Sequence, residues 1–274
     1  DTLDPAFRAL CLRLPGEDDM AQTLHARGHQ PDPDRIYTAR RDMALALADR
    51  MGEGLARLYD SLRDDAPFSA SAEQAGRRAL RLAALGLLTR RDGGARAAAG
   101  FASARSMTEE IGALTALVDI GQGATELQAF ADRWSKDRNV MDKWFAVQIA
   151  CAAPDQAAAV TDRLTARADF DWKNPNRFRS VLGALAAHHA GFHHGSGAGY
   201  RLLADWLIRL DPLNPQTAAR VSTAFETWPR YDATRRQAAQ AELTRIRHSA
   251  GLSGDLREMV DRMLAAGGDQ PARQ

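Results

Sequence analysis

Residues 32–62 read DPDRIYTARRDMALALADRMGEGLARLYDSL, and this segment indicates the fold class most clearly. Asp32 offers a side-chain oxygen to free backbone N–H groups, and Pro33 follows it where no backbone donor is missed, which is the chemistry of a helix start. After this start, apolar residues recur in steps of four or three, a spacing that keeps them on one face of a helix. The pattern predicts one long amphipathic helix. Its apolar residues are Met43, Leu47, Met51, Leu55, Leu58 and Leu62.

The same helix-start chemistry recurs along the chain. Asp4-Pro5, Asn174-Pro175 and Asn214-Pro215 each place a capping side chain before proline, and Ser106 with Glu109 forms a capping box. Glycine and proline breaks separate the segments, and no convincing alternation of four or more residues indicates a strand. The sequence therefore predicts an all-α fold of about a dozen helices, arranged as antiparallel pairs in a superhelical α-solenoid of the armadillo or HEAT type.

Domain boundaries are less marked than helix starts. We expect residues 1–274 to form a single helical domain, with a division into sub-lobes 1–104 and 105–266 as the alternative. That division would fall in the Arg-, Ala- and Gly-rich residues 89–105, where the organisation is weakest, and residues 267–274 resemble a frayed tail. Residue 1 is Asp rather than Met, which predicts an excised or processed fragment.

Composition argues for a protein partner. Lys plus Arg (36) and Asp plus Glu (35) nearly cancel to a net charge of +1, so no general attraction draws the chain to nucleic acid or to an anionic membrane. No apolar run approaches the roughly 20 residues that a transmembrane helix needs. Cys11 and Cys151 are the only cysteines, and both lie in apolar runs. We predict two buried thiols in a reducing compartment, which favours the cytoplasm.

Two groups of histidines are the candidate metal ligands. His25 and His29 stand four apart, as on one helix face, but the residues between them lack the Glu that a zinc peptidase helix uses as general base. The histidine cluster from His188 to His194 runs into a glycine-rich loop, so we expect a helix end with favourable dipole contacts, and a fortuitous metal site is the alternative. Phosphate loops, nucleophile elbows and paired-cysteine motifs do not occur. The residues thus predict no catalytic group and no metal site.

The string Asn174-Pro-Asn-Arg-Phe-Arg-Ser180 is unusual for a helix start. Arg177 and Arg179 fall in the first turns, where the helix dipole disfavours cations, so we expect each to pair with an acidic neighbour or with another surface. Aromatic residues interleaved with Arg and Lys are compatible with base stacking, but most have helical spacing and apolar neighbours, which favours core packing. They are Trp134, Trp144, Phe145, Phe170, Trp172, Phe178, Trp206 and Trp228.

Several strings, taken in order, resemble the bacterial aminopeptidase N family of zinc-dependent gluzincin metallopeptidases, and specifically its C-terminal helical domain. The order carries more weight than any one string, and the resemblance covers nearly the whole chain. The strings are Asp4-Pro-Ala-Phe7 with Leu10, Leu12 and Leu14-Pro15, Arg77-Arg-Ala-Leu-Arg81, Val140-Met-Asp-Lys-Trp-Phe145, Asn174-Pro-Asn-Arg-Phe-Arg-Ser180, Arg230-Tyr-Asp232 and Leu252-Ser-Gly-Asp-Leu256.

This resemblance implies a function for the whole enzyme and a role for the fragment. Family members remove N-terminal residues from peptides with a zinc ion held by His-Glu-x-x-His in an earlier domain, and that string does not occur here. The fragment is therefore expected to bind no cofactor and to be inactive alone, with zinc in the full-length enzyme. Its implied partners are the catalytic domain of the same polypeptide, over which it closes to form a substrate chamber and to control access, and peptide substrates.

The family also places a Gln and an Arg four residues apart on a helix that faces the chamber. The resemblance assigns this auxiliary substrate-binding role to Gln216 and Arg220. The spacing is physically reasonable by itself, because a helix that starts at Asn214 and Pro215 puts both side chains on one face, one turn apart. An amide, a guanidinium and free N–H groups then suit the carbonyls or terminal carboxylate of a peptide. A merely solvated Gln/Arg face is the alternative.

A function from another class stays open at this point. An independent α-solenoid scaffold would bind another protein through its groove and would have the same helical pattern. The two hypotheses differ in whether the fragment binds an aminopeptidase that lacks its last domain.

Overall fold

The computed structural model describes residues 3–64 and 66–268. These residues form helices joined by turns and contain no β-strand, which confirms the predicted all-α class. A π-helical turn (Arg179–Gly183) follows α10, and a 3-10 segment (Thr223–Arg230) follows α14. The α-helices are α1 (Pro5–Cys11), α2 (Glu17–Ala26), α3 (Pro33–Ser61), α4 (Ala72–Asp92), α5 (Ala95–Ala102), α6 (Met107–Asp119), α7 (Ala124–Trp134), α8 (Arg138–Ala150), α9 (Ala157–Thr165), α10 (Pro175–Phe178), α11 (Ala184–Ala187), α12 (His189–Phe192), α13 (Ala198–Leu210), α14 (Pro215–Ser222), α15 (Ala233–Arg247) and α16 (Gly254–Gly268).

The contacts divide the chain into two compact units. Unit 1 contains residues 1–16 and 38–147, and unit 2 contains residues 17–37 and 148–274. Helices α4, α5 and α6 pack against one another on both sides of residue 104, and the alternative sub-lobes 1–104 and 105–266 stay a prediction. The expected frayed tail of residues 267–274 lies outside the described residues except for its first two, which end α16. A single domain over residues 1–274 stays a prediction.

The predicted capping chemistry starts the helices of both units. Asp4 Oδ1 accepts hydrogen bonds from Ala6 N (2.9 Å) and Phe7 N (3.1 Å), so α1 begins at Pro5. Ser106 Oγ accepts from the backbone of Glu109 at the start of α6. Each cap satisfies N–H groups that have no partner inside the helix. Short side chains placed before a helix therefore fix its first residue from the sequence alone.

Unit 1 is built on α1, α4, α5 and α6. Successive helices pack against each other, and α1 lies along α4 through a buried cluster of Ala9, Leu62 and Leu80. Residues 89–105 are more ordered than expected. They complete α4, turn at Gly93 and Gly94 with φ values of 65° and 92°, and continue as α5. Because only glycine adopts this left-handed backbone at little cost, the glycine-rich string makes a sharp turn rather than a weak region.

The long helix α3 presents a different face from the predicted one. Met43 and Met51 are 53% and 42% exposed, whereas Ala44 and Ala48 are buried. In this half of α3 the buried stripe is therefore formed by alanines rather than by methionines. Towards its C-terminus, Leu55 and Leu62 are buried as predicted, together with Tyr59.

The cysteines are a second correction. Cys11 is exposed and Cys151 is half-buried, so neither is the buried thiol that the sequence predicted. Helix α1 buries Ala9 against α4, and a residue two positions later faces away from that contact, since successive helical residues are about 100° apart. The apolar neighbours of Cys11 thus gave a misleading prediction of burial.

The main packing contacts of unit 2 are those of α13 with α14 and α15, and those of α16 with α14 and α15. The prediction that its aromatic residues form core is confirmed for Phe170, Phe178, Trp206 and Trp228, which are buried. Trp228 Nε1 donates to the Met263 carbonyl oxygen at 3.1 Å, which ties the 3-10 segment to α16. Within residues 3–64 and 66–268, no helix has both the length and the apolar character required to cross a membrane.

Candidate functional site

Unit 2 contains a pocket of about 640 Å³. A volume of this order is typical of sites that hold a small ligand or part of a larger one. Residues from six elements contribute to its wall, among them Asp18 of α2, Arg179 of the π-helical turn, Arg220 of α14 and Thr227 of the 3-10 segment. The pocket therefore brings together side chains that are far apart in the sequence.

Arg220 reaches the pocket through a helix whose start was predicted. Asn214 Oδ1 accepts a hydrogen bond from Thr217 N at 3.0 Å, and α14 begins at Pro215. Both Gln216 and Arg220 are exposed, but only Arg220 lies on the pocket wall. Within the described residues, no ion pair engages Arg220. Its guanidinium is therefore available to a ligand.

Arg179 is a wall residue that the sequence did not assign to a site. Asn174 caps α10 by accepting from Asn176 N at 2.9 Å, and the helix widens into the π-helical turn at Arg179. Single π turns inside helices recur at functional sites. Arg179 Nη2 donates to Asn176 Oδ1 at 2.6 Å, whereas Arg177 is buried and donates to the Asp169 carbonyl oxygen. For Arg179, the hydrogen-bond partner is therefore the amide oxygen of Asn176 and not an acidic side chain. Two cations at an unusual helix start were the available signal for this residue.

The charges on the wall are unequal. Arg179 and Arg220 contribute two guanidinium groups, and Asp18 contributes one carboxylate. Asp18 Oδ1 also lies 3.9 Å from Arg230 Nη1. Two guanidinium groups favour carbonyl and carboxylate oxygens, with which they form charge-assisted hydrogen bonds. The pocket is therefore suited to a ligand rich in oxygen acceptors.

Two histidines of the predicted cluster, His189 and His193, line the pocket, and the expected contacts with a helix dipole stay a prediction. His188, His189 and His193 are buried, with exposures of 8%, 7% and 4%. His188 Nδ1 accepts from Gly191 N at 3.0 Å and so caps α12, while its Nε2 lies 2.9 Å from the Ala152 carbonyl oxygen. Packing between α12 and its neighbours buries these rings, and that packing has no local sequence signal.

His189 and His193 line the pocket as neutral side chains. Burial, the largest cause, lowers the pKa of His189 to about 4 and holds the pKa of His193 well below its usual value. Burial likewise raises the pKa of Tyr231 to about 12 and that of Tyr200 above its ordinary value. Arg235 Nε donates to the His193 carbonyl oxygen at 2.6 Å and fixes its position. At neutral pH, the inner wall therefore carries hydrogen-bonding groups without charge.

The histidines do not form a metal site in the part of the chain that the structure describes. No three His, Cys, Asp or Glu side chains there are placed to hold one ion. The ring nitrogens of His193 face Tyr200 and Thr227 instead. His25 and His29 are exposed at the end of α2, as expected for solvated residues.

The sequence of the chain matches one protein family over residues 1–265, which is described as a domain of unknown function (DUF3458_C) with ARM repeats. The chain belongs to this family. ARM repeats are stacked helical units, so the description agrees with the all-α helical array predicted from the sequence. The DUF3458_C match also places the fold among helical repeats rather than closed bundles.

Three proteins that the chain matches over nearly its whole length are aminopeptidases. The chain is 37% identical over 270 residues to aminopeptidase N of Caulobacter vibrioides and 31% identical over 271 residues to that of Escherichia coli. It also resembles the crystal structure of Legionella pneumophila aminopeptidase A in complex with aspartic acid, with a TM-score of 0.86 and 26% identity. These comparisons confirm the resemblance to aminopeptidase N.

The matches cover nearly all of this chain but only part of each relative. The matches include 96%, 97% and 97% of this chain, but 31%, 30% and 32% of the respective relatives. The chain thus spans about a third of the length of the relatives that it matches. The remaining two thirds of each relative have no counterpart among the residues of this chain.

Proposed function

We propose that this chain is the C-terminal helical domain of a zinc aminopeptidase that removes N-terminal residues from peptides. In this proposal the domain is not catalytic alone. It closes over the catalytic domain of the same polypeptide, forms part of the substrate chamber and controls which peptides enter. Zinc is bound by the full-length enzyme, in the cytoplasm. The aminopeptidase relatives and their threefold greater length support this assignment.

One observation carries the role in substrate binding, namely that Arg220 and Arg179 line the same pocket of unit 2. We assign Arg220 as an auxiliary contact for a peptide carbonyl or C-terminal carboxylate, with Arg179 as a second donor. Gln216, one turn before Arg220 and exposed, would contact a part of the peptide outside the pocket. Guanidinium groups match carboxylates geometrically, and such a bond contributes about 1.5–3 kcal/mol.

Steady-state kinetics of the full-length enzyme test this role. Arg220→Ala should lower kcat/KM for trialanine by about tenfold to a hundredfold, the equivalent of one charge-assisted hydrogen bond. The matched control is Arg257→Ala, which removes an exposed arginine of α16 that does not line the pocket. Alanine p-nitroanilide, which has no second residue and no terminal carboxylate, should be hydrolysed almost normally by both variants. Equal kcat/KM for trialanine in Arg220→Ala and wild type would refute the role.

A further inference from the structure

Five side chains at the pocket wall and directly behind it form a continuous hydrogen-bonded relay. His193 Nδ1 lies 2.8 Å from Tyr200 Oη, and His193 Nε2 lies 3.3 Å from Thr227 Oγ1. Thr227 Oγ1 lies 3.4 Å from Tyr231 Oη, which lies 2.9 Å from His189 Nε2. Tyr200 and Tyr231 are fully buried, whereas Thr227 is half-buried on the pocket wall. The order of the relay is therefore Tyr200, His193, Thr227, Tyr231 and His189.

The relay has one more proton than it has bonds. Each neutral histidine carries one N–H and each hydroxyl one O–H, so five donors serve four contacts. Tyr200 is buried with His193 Nδ1 as its partner, and an unused O–H there would cost about 1–3 kcal/mol. Tyr200 therefore donates to His193 Nδ1, and His193 donates from Nε2 to Thr227. The surplus proton then lies at the other end of the relay.

Two arrangements remain for that end, because a third, in which Tyr231 accepts from both Thr227 and His189, would leave the O–H group of the buried Tyr231 unused. In the first, Thr227 donates to Tyr231, Tyr231 donates to His189 Nε2, and His189 carries its proton on Nδ1. In the second, His189 donates from Nε2 to Tyr231, Tyr231 donates to Thr227, and the threonine proton points into the pocket. The two differ in whether Thr227 offers an acceptor or a donor to a ligand.

The position of Glu17 decides between these two arrangements of protons. His189 Nδ1 is buried, has no hydrogen-bond partner within the described residues and lies 3.9 Å from Glu17 Oε2. The same carboxylate oxygen accepts from Ala190 N at 3.4 Å, which holds it beside the ring. A carboxylate attracts an N–H group and repels a nitrogen lone pair, and both effects are strong at a buried site.

We propose that Glu17 fixes His189 as the Nδ1–H tautomer and thereby makes Thr227 a hydrogen-bond acceptor for an N–H group of the ligand. In this arrangement Thr227 Oγ1 accepts from His193 and donates to Tyr231, so one lone pair still faces the pocket. Arg179 and Arg220 bind oxygen atoms, and a peptide backbone offers both oxygen atoms and N–H groups. The identity of the ligand rests on the proposed function, whereas the tautomer of His189 does not.

Long-range ¹H–¹⁵N spectra of the histidine side chains of this chain at pH 7 test the tautomer without any ligand. His189→Gln assigns the signal. Wild type should show Nδ1–H on His189 and Nε2–H on His193, and Glu17→Met should move His189 towards Nε2–H. The control Asp19→Asn, which removes an exposed carboxylate of the same first turn of α2, should leave His189 unchanged.

An Nε2–H tautomer of His189 in wild type would overturn the proposal, as would an unchanged tautomer in Glu17→Met. Glu17→Leu, which also removes both carboxylate oxygens, serves the same purpose if the methionine variant does not fold. The ligand contact has its own readout in the full-length enzyme. Thr227→Val should lower kcat/KM for trialanine about fivefold and Thr227→Ser should restore it, and equal values for all three would exclude the contact. If only the kinetic result is negative, the ligand contact is excluded, whereas the tautomer of His189 is still decided by the spectra.

Discussion

Acidification from pH 7 to pH 4 should destabilise unit 2 through His189. Burial lowers the pKa of this histidine from an ordinary 6.5 to about 4. The unfolded chain therefore binds a proton at a higher pH than the folded chain does, and stability is lost as the pH falls from 6.5 to about 4. Each pH unit corresponds to about 1.4 kcal/mol, so His189 alone accounts for about 3 kcal/mol at the lower limit.

Urea unfolding followed by circular dichroism, at half-unit steps of pH, measures this loss. His189→Gln removes the titrating group and keeps a polar side chain near Tyr231. As the pH falls from 6 to 4.5, the free energy of unfolding of the variant should therefore decrease less steeply than that of wild type, with slopes that differ by about 1.4 kcal/mol per pH unit. His25→Gln, at an exposed histidine, should retain the wild-type slope. Identical slopes for wild type and His189→Gln would refute the argument. Burial also lowers the pKa of His193, so the free energy of unfolding of His189→Gln should still depend on pH.

Three further predictions concern stability and use the same unfolding assay. Gly267→Ala should cost about 1–3 kcal/mol, because the added methyl group would overlap the Trp228 ring, and an unchanged midpoint would contradict that packing. Gly199→Ala should cost a similar amount, since its Cβ would lie 2.7 Å from the Phe192 carbonyl oxygen, whereas Gly254→Ala, with open space around it, should cost little. Glu110→Ala should cost about 1–3 kcal/mol, because this buried carboxylate accepts from Arg133 at 2.6 Å and from an indole N–H at 2.9 Å, and a loss that persists in Glu110→Gln, which keeps the side-chain size, would support the charge contribution.

Much of the fold is encoded in local sequence. Asp4, Asn174 and Asn214 cap helices where predicted, since a cap involves only residues within one turn. The face of α3 was not predictable in the same way. Its alanines and methionines are all apolar, and only contact with neighbouring helices decides that Ala48 is buried and Met51 is exposed.

The candidate site was predictable in part. The position of Arg220 on its helix follows from Asn214 and Pro215, because helix geometry fixes the spacing. Its meeting with Arg179, forty-one positions earlier, depends on how the helices of unit 2 pack, and a single sequence carries no signal for that. The burial of His189 and His193 depends on the same packing, so their neutral state was missed.

The central claim is that this chain is an accessory domain of an aminopeptidase. Mixing tests it most directly, with the isolated chain added to an aminopeptidase truncated before this domain. The account predicts that the chain alone hydrolyses no trialanine, binds the truncated enzyme and increases its trialanine hydrolysis, and that Arg220→Ala binds equally but increases hydrolysis less. A chain that does not bind the truncated enzyme would contradict the account and favour an independent helical scaffold.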